Sequence, residues 1–257
     1  MIRWITPESV PWIAQAEHAR ASERAGGLPA SEQAAPSAAA PEAEDVLYRD
    51  WRRPSRIAWG ALATVLWVGA AGGAFLVAVG LSDGDDGVAT VIAVATLTVV
   101  LGASAAWLLW RLHRSGGALT RALAYWVRLP WLRGEPRGLH PTRIGASRTH
   151  TDPAVALHWC AAGVTGLMAV GGAALAVQGA VAAADGAAGA ELGLAAFGAV
   201  LAAGMLPTTV GLVAGIRRAV FAYSDPRQAL ERGLGYGPPG PVPSRHAPRS
   251  VREDAAR

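Results

Sequence analysis

Four apolar stretches without a single Asp, Glu, Lys or Arg, at 57–81, 88–110, 155–182 and 192–216, constrain this 257-residue chain more than any other feature. Each is longer than the about 20 residues a helix needs to cross a hydrocarbon core about 30 Å thick. The sequence therefore predicts an all-α, polytopic membrane protein with four transmembrane helices. Hydrophobic residues make up 52% of the chain and charged ones 16%, so little is left for an independent soluble core. All 23 basic residues are Arg, and Asn is missing as well as Lys. Lys and Asn share AT-rich codons, so the arginines reflect codon usage and not selection for guanidinium chemistry. The single Cys160 excludes an intrachain disulfide and is expected to be a small buried apolar residue.

Charge sets the expected orientation. Arg49, Arg52, Arg53 and Arg56 crowd the start of the first span, and Arg217, Arg218, Arg227 and Arg232 follow the fourth. The middle loop carries Arg111, Arg114, Arg121, Arg128, Arg133, Arg137, Arg143 and Arg148. The two remaining turns hold Asp83, Asp85, Asp86, Asp185 and Glu191 and no base. The positive-inside rule then puts both termini and the middle loop in the cytoplasm, which threads the chain as two hairpins. The divisions are a cytoplasmic tail at 1–46, a hairpin at 47–112, a basic loop at 113–153, a second hairpin at 154–217 and a tail at 218–257. Tyr48, Trp51, Trp59, Trp107, Trp110 and Trp159 flank the span ends on the arginine side, the headgroup level that amphipathic rings prefer. Trp67 lies deeper and reads as a packing residue.

The N-terminus lacks the layout of a secretory signal peptide, so the first span is expected to act as an uncleaved signal anchor. Residues 1–27 hold a short amphipathic element with Ser9 as N-cap, Pro11 in the first turn and Gly26 as stop. It is either a partner-docking or membrane-surface helix led by Trp4, Ile5 and Trp12, or a frayed tail. Residues 28–45 are Ala/Pro/Ser/Glu-rich and are expected to be disordered. After the fourth span, Asp225 and Pro226 signal another helix start, with Gly233 as its stop.

The candidate interfacial or partner face lies at 119–132, where Leu119, Leu123 and Trp126 recur at helical spacing. Arg121 and Arg128 are interleaved, and Trp131 adjoins. A basic, aromatic amphipathic helix in the inner headgroup layer, ended by Pro130, is the expectation; it is either a passive connector between the two hairpins or a docking site for anionic inner-leaflet lipid or a protein. Close helix packing is expected at Gly69 and Gly73 and at Gly211 and Gly215. The chain has 31 glycines, so these spacings recur by chance and select no dimer face. Pro207 should kink the fourth span near Ala203, with Thr208 and Thr209 satisfying the freed carbonyl. Residues 70–80 resemble 169–179, which suggests a duplicated hairpin.

Several chemistries are excluded. No Lys is present for a GxxxxGK nucleotide loop, and no GxSxG, HExxH or paired CxxC pattern occurs. His113, His140, His150, His158 and Cys160 match no zinc spacing. The Asp83 turn lacks the ligand set of a calcium loop. No cofactor or metal is expected, nucleic acid is not an expected partner, and an enzyme is the weaker reading. The expectation is a multi-pass protein of a bacterial-type inner membrane, in the class of accessory or scaffold subunits that engage partners through cytoplasmic segments. The membrane partner would be a larger complex or a homo-oligomer. The second reading, a small-solute transporter or channel component, rests on the repeat and on Pro207. No ionisable group sits at mid-membrane, which weighs against ion coupling.

Overall fold

Prolines mark where several helices begin, because a missing N–H costs nothing in the first turn. In the computed structural model, which describes residues 4–26, 37–83, 87–132, 152–186 and 189–221, Pro54 opens α3 and Pro153 opens α5. Among the described residues there are six α-helices: α1 (Ser9–Arg24), α2 (Ala40–Trp51), α3 (Pro54–Asp83), α4 (Val88–Leu132), α5 (Pro153–Ala184) and α6 (Ala190–Phe221). A 3-10 turn at Ser37–Ala39 leads into α2, and the described residues contain no strand. The last four helices are long and apolar enough to cross a membrane.

The division between α2 and α3 is local chemistry. Pro54 has no N–H to continue the ladder, and it disfavours a helical conformation at the preceding Arg53. The Arg53 N–H falls back on the Asp50 carbonyl at 3.4 Å, and the Arg56 N–H restarts the ladder on the Arg53 carbonyl at 3.0 Å. Residues 40–45, expected to be disordered, are the first half of α2. Their order comes from packing, since Ala40, Ala43 and Glu44 are buried. Of the rest of that stretch, 37–39 form the 3-10 turn and 28–36 lie outside the described residues.

Helix α4 changes the sequence expectation most. Its 45 residues run without a break through the end of the second span, so no separate helix begins at 119. At 1.5 Å per residue it is roughly 68 Å long, about twice the thickness of a hydrocarbon core. Pro130 does not end it, because a proline two residues from a helix terminus removes only one ladder bond.

Environment divides this helix in two. Between Val88 and Trp110 many large apolar side chains, including Ile92, Leu97, Val99 and Val100, are exposed, as lipid-facing residues would be, while Leu108 and Leu109 are buried with Ala63 of α3. From Leu119 onward the pattern inverts: Leu119, Leu123, Trp126, Val127 and Leu129 are buried. The distal half of α4 is thus the centre of a helical head built with α1, α2 and the adjoining ends of α5 and α6. Its core takes Ile13, Ala16 and Ala19 from α1, Leu47, Tyr48 and Trp51 from α2, Val155 from α5 and Ile216 from α6. Tyr48 and Trp51, expected at the headgroup level, belong to this core. Fully burying a Leu- or Phe-sized side chain contributes about 1.5–3 kcal/mol, and five such residues on α4 alone explain why the helix persists beyond the apolar stretch.

Within the apolar part, α5 and α6 form the most extensive pair, and α6 also packs on α3 and α4. Small residues make the close approaches. Gly172 and Gly198 face each other so closely that a Cβ on either would meet the other's carbonyl oxygen. A Cβ at Gly179 would meet the backbone at Glu191 and Ala195. Between α3 and α6, the Trp67 ring occupies the space a Cβ at Gly204 would take, and its indole N–H donates to the Val200 carbonyl at 2.8 Å. Where lipid supplies no hydrophobic drive between helices, such dispersion contacts and interhelical hydrogen bonds hold the bundle.

These contacts predict an order of effects. Gly204→Val removes the seat of the Trp67 ring and should destabilise the purified protein in detergent by about 1–3 kcal/mol, the usual cost of overpacking. Trp67→Phe keeps most of the ring but loses one interhelical hydrogen bond, for about 0.6 kcal/mol. Equilibrium unfolding in mixed micelles reads both, and a larger loss for Trp67→Phe than for Gly204→Val contradicts this packing.

Candidate functional site at the membrane boundary

The site builds from the level where α4 passes from exposed apolar to buried apolar residues. Three tryptophans from distant parts of the chain meet there. The Trp4 ring lies 6.0 Å from that of Trp59 on α3 and 6.0 Å, edge-on, from that of Trp107 on α4. Arg56 ties this cluster together. Its guanidinium donates to the Trp4 carbonyl at 2.7 Å, to the Ser115 hydroxyl at 2.9 Å and to the Leu112 carbonyl at 3.4 Å. One arginine on α3 thereby fastens the N-terminal segment to the middle of α4.

A second set of contacts docks α2 on α5. Asp152 is the N-cap of α5 and accepts from the Ala154 N–H at 2.8 Å. Its other oxygen accepts from the Tyr48 hydroxyl at 2.9 Å and from Arg52 at 3.1 Å. Burial raises the pKa of this carboxyl, but the Ala154 N–H, the Tyr48 hydroxyl and the Arg52 guanidinium together outweigh it and hold it below the ordinary 3.8. Next to it, the His158 ring stacks on Trp51 at 4.5 Å, with its Nδ1 2.7 Å from the Ala154 carbonyl.

A third set holds α1. Asp50 on α2 is almost fully buried, and its Oδ2 accepts from both the N–H and the hydroxyl of Thr6. Arg53 approaches Oδ1 at 3.5 Å as an ion pair without hydrogen-bond geometry. Ser9 is the first helical residue and not the cap, and its N–H donates to the Thr6 carbonyl at 3.1 Å. Gly26 ends the turn after α1 at φ +79°, a conformation that suits glycine. Deeper in the head the Trp126 indole donates to the Trp12 carbonyl at 3.1 Å, and the two rings meet edge-on at 5.2 Å.

The expected partner face at 119–132 is therefore distributed differently. Leu119, Leu123 and Trp126 face the chain's own α1 and α2, which occupy the side that lipid or a partner was expected to cover. Arg121 remains exposed beside Glu17 at 4.0 Å, and its carbonyl accepts from Arg20 at 2.8 Å. Arg128 is half-buried. Trp131 is helical, but its side chain lies outside the described residues, as do the helix signals at Asp225, Pro226 and Gly233.

Among the packing glycines, Gly69 and Gly73 face α4 at Leu101 and Thr98, and Gly211 faces the His113 ring. Gly215 has open space around it. The α5–α6 glycines were the stronger pair; the Gly172 and Gly179 spacing, one heptad, was their signal. Pro207 sits inside an unbroken α6. Thr208 and Thr209 do not serve the carbonyl at Ala203: they donate to Gly204 at 2.7 Å and to Met205 at 2.8 Å. Thr209 also reaches the Thr165 hydroxyl on α5 at 3.0 Å. Cys160 is exposed on α5, contrary to the burial expected of it.

No family model, curated protein or solved structure matches this chain.

Asp152→Ala should cost about 1–2 kcal/mol through the lost cap alone, and Asp152→Asn less, since an amide still caps. The pH dependence has a definite sign. A carboxyl held low when folded stabilises fully above its ordinary 3.8, and that contribution is lost as pH falls through the lower folded value. Thermal unfolding in detergent at pH 7 and pH 3 should show the gap between wild type and Asp152→Ala narrowing at pH 3. A gap that widens there removes the clamp from the account.

Proposed function

We propose that this protein is an accessory or scaffold subunit of a bacterial-type inner membrane, with both termini and the helical head in the cytoplasm. The observation that carries the reading is the head itself: an extension of the membrane bundle with its own core, made of 20 buried residues, set directly on a basic and aromatic collar. Such a platform presents a rigid surface at a fixed height above the bilayer. Val10 on α1, 52% exposed, is a large apolar residue on that surface and suits contact with a second protein.

The bundle offers little chemistry for moving solutes. The hydroxyls of Thr96, Thr98, Thr165 and Thr208 donate to carbonyls of their own helices, and no carboxylate or arginine lies within the four apolar stretches. Ion coupling ordinarily uses ionisable groups facing the bundle interior. The transporter reading retains one supporting observation. Gly73 and Gly172, at matching positions of the similar segments, both face the second helix of their own hairpin, while Gly72 and Gly171 both lie in open space.

Orientation supports the cytoplasmic head, since Arg52, Arg53, Arg56, Arg111, Arg114, Arg121 and Arg217 all lie at the head end of the bundle. Two measurements test the reading. In a Cys160→Ala background, Asp185→Cys should react with a membrane-impermeant thiol reagent in intact cells, and Arg121→Cys only after permeabilisation. The reverse pattern inverts the topology and ends the proposal. Liposomes carrying the purified chain should show no solute flux; flux that Pro207→Ala alters would replace the subunit reading with the transporter one.

A further inference from the structure

The arginines around the collar differ in what they touch. Arg52 and Arg53 pair with Asp152 and Asp50, Arg56 holds two carbonyls and a hydroxyl, and Arg121 lies beside Glu17. Arg218 donates to Thr120 at 3.3 Å. Arg111 and Arg114 have no such partner: among the described residues, no carboxylate lies within ion-pair distance of either. Each guanidinium instead lies over indole faces. Arg111 is 5.8 Å from the Trp107 ring and 5.9 Å from the Trp110 ring, and Arg114 is 5.5 Å from Trp110.

The spacing explains the arrangement. Positions 107, 110, 111 and 114 are i, i+3, i+4 and i+7, so all four side chains share one stripe of α4. Trp107 and Trp110 are 49% and 53% exposed, at the point where exposed apolar residues along α4 cease. The stripe therefore faces outward at the headgroup level, away from the head core. Cation–π attraction to an indole does not consume the N–H donors of a guanidinium, and its planar fork matches a phosphate bidentately. The two indole N–H groups add donors at the same level, while the rings and the adjoining Val99 and Val100 offer apolar surface to acyl chains.

From this we propose that Trp107, Trp110, Arg111 and Arg114 form a binding site for an anionic phospholipid, with the phosphate on the two guanidiniums and the acyl chains along α4. The site goes beyond the accessory-subunit reading and requires only that α4 be embedded in lipid. It also moves lipid recognition away from 119–131, where Leu119, Leu123 and Trp126 are buried.

The experiment uses the full chain in mild detergent, titrated with phosphatidylglycerol or with phosphatidylcholine of the same acyl chains, and bound lipid is counted by native mass spectrometry. Phosphatidylglycerol should be retained preferentially, and Arg111→Gln/Arg114→Gln should weaken that retention about thirtyfold, as expected for two arginines at an anionic surface. Arg49→Gln, exposed on α2, should leave it unchanged. Arg111→Lys/Arg114→Lys should recover only part of it, since ammonium groups keep the charge without the planar edge. An unchanged melting curve for each variant separates loss of the site from loss of the fold. Equal retention of the two lipids, or full retention by the double Gln variant, overturns the proposal. So does displacement by millimolar inorganic phosphate, which would make the site one for a free anion.

Discussion

Helix α4 changes environment along its length without interruption, from many exposed apolar residues in its first half to buried ones in its second, and the rest of the molecule is arranged around that change. Inside lipid a helix satisfies its own backbone, so its side chains are free to be apolar on the outside. Beyond the headgroups the same exposure would carry a hydrophobic penalty, and the apolar residues must turn inward. The chain meets both demands by clothing the distal half of α4 with α1, α2 and the ends of α5 and α6. Trp126 and Leu123 are the inverse of Val99 and Ile92: the same kinds of side chain, buried in one half and exposed in the other.

The two halves are held together by different forces. In the bundle, contact is made by what is missing: hydrogen atoms in place of side chains at Gly172, Gly179, Gly198 and Gly204 let backbones and one indole ring approach closely. In the head, large side chains supply the core, and polar groups fix its register. Arg56, Asp50 and Asp152 each join elements distant in sequence through two or more hydrogen bonds. Asp152 illustrates how such a group becomes a joint: one carboxylate starts α5 and holds the α2 side chains Tyr48 and Arg52.

The spans were legible because a bilayer makes a coarse demand, length without charge, that any reader of the sequence can count. The head was not, because its signal is shared with an interfacial helix. A stripe of Leu119, Leu123 and Trp126 with interleaved arginines suits a headgroup layer as well as it suits a partner helix, and only the tertiary arrangement decides. Alanine concealed the partner. Ala16, Ala19, Ala40 and Ala43 contribute little hydrophobicity to a sequence window, so α1 read as a marginal element and the start of α2 as linker, yet all four are buried. The cap at Asp152 was readable, since the Asp-Pro pair recognised at 225–226 occurs also at 152–153. Trp67 was placed correctly as a packing residue; its hydrogen bond to Val200 depends on a neighbour 133 positions away and leaves no local trace.

A single continuous helix of this length has the geometry of a lever. Its distal half extends roughly 33 Å past the apolar stretch, so a change in tilt of about 10° carries the tip by about 6 Å. Were the apolar half embedded in lipid, a change of tilt set by bilayer thickness and by the packing of neighbouring helices would be magnified at the outer surface of the head.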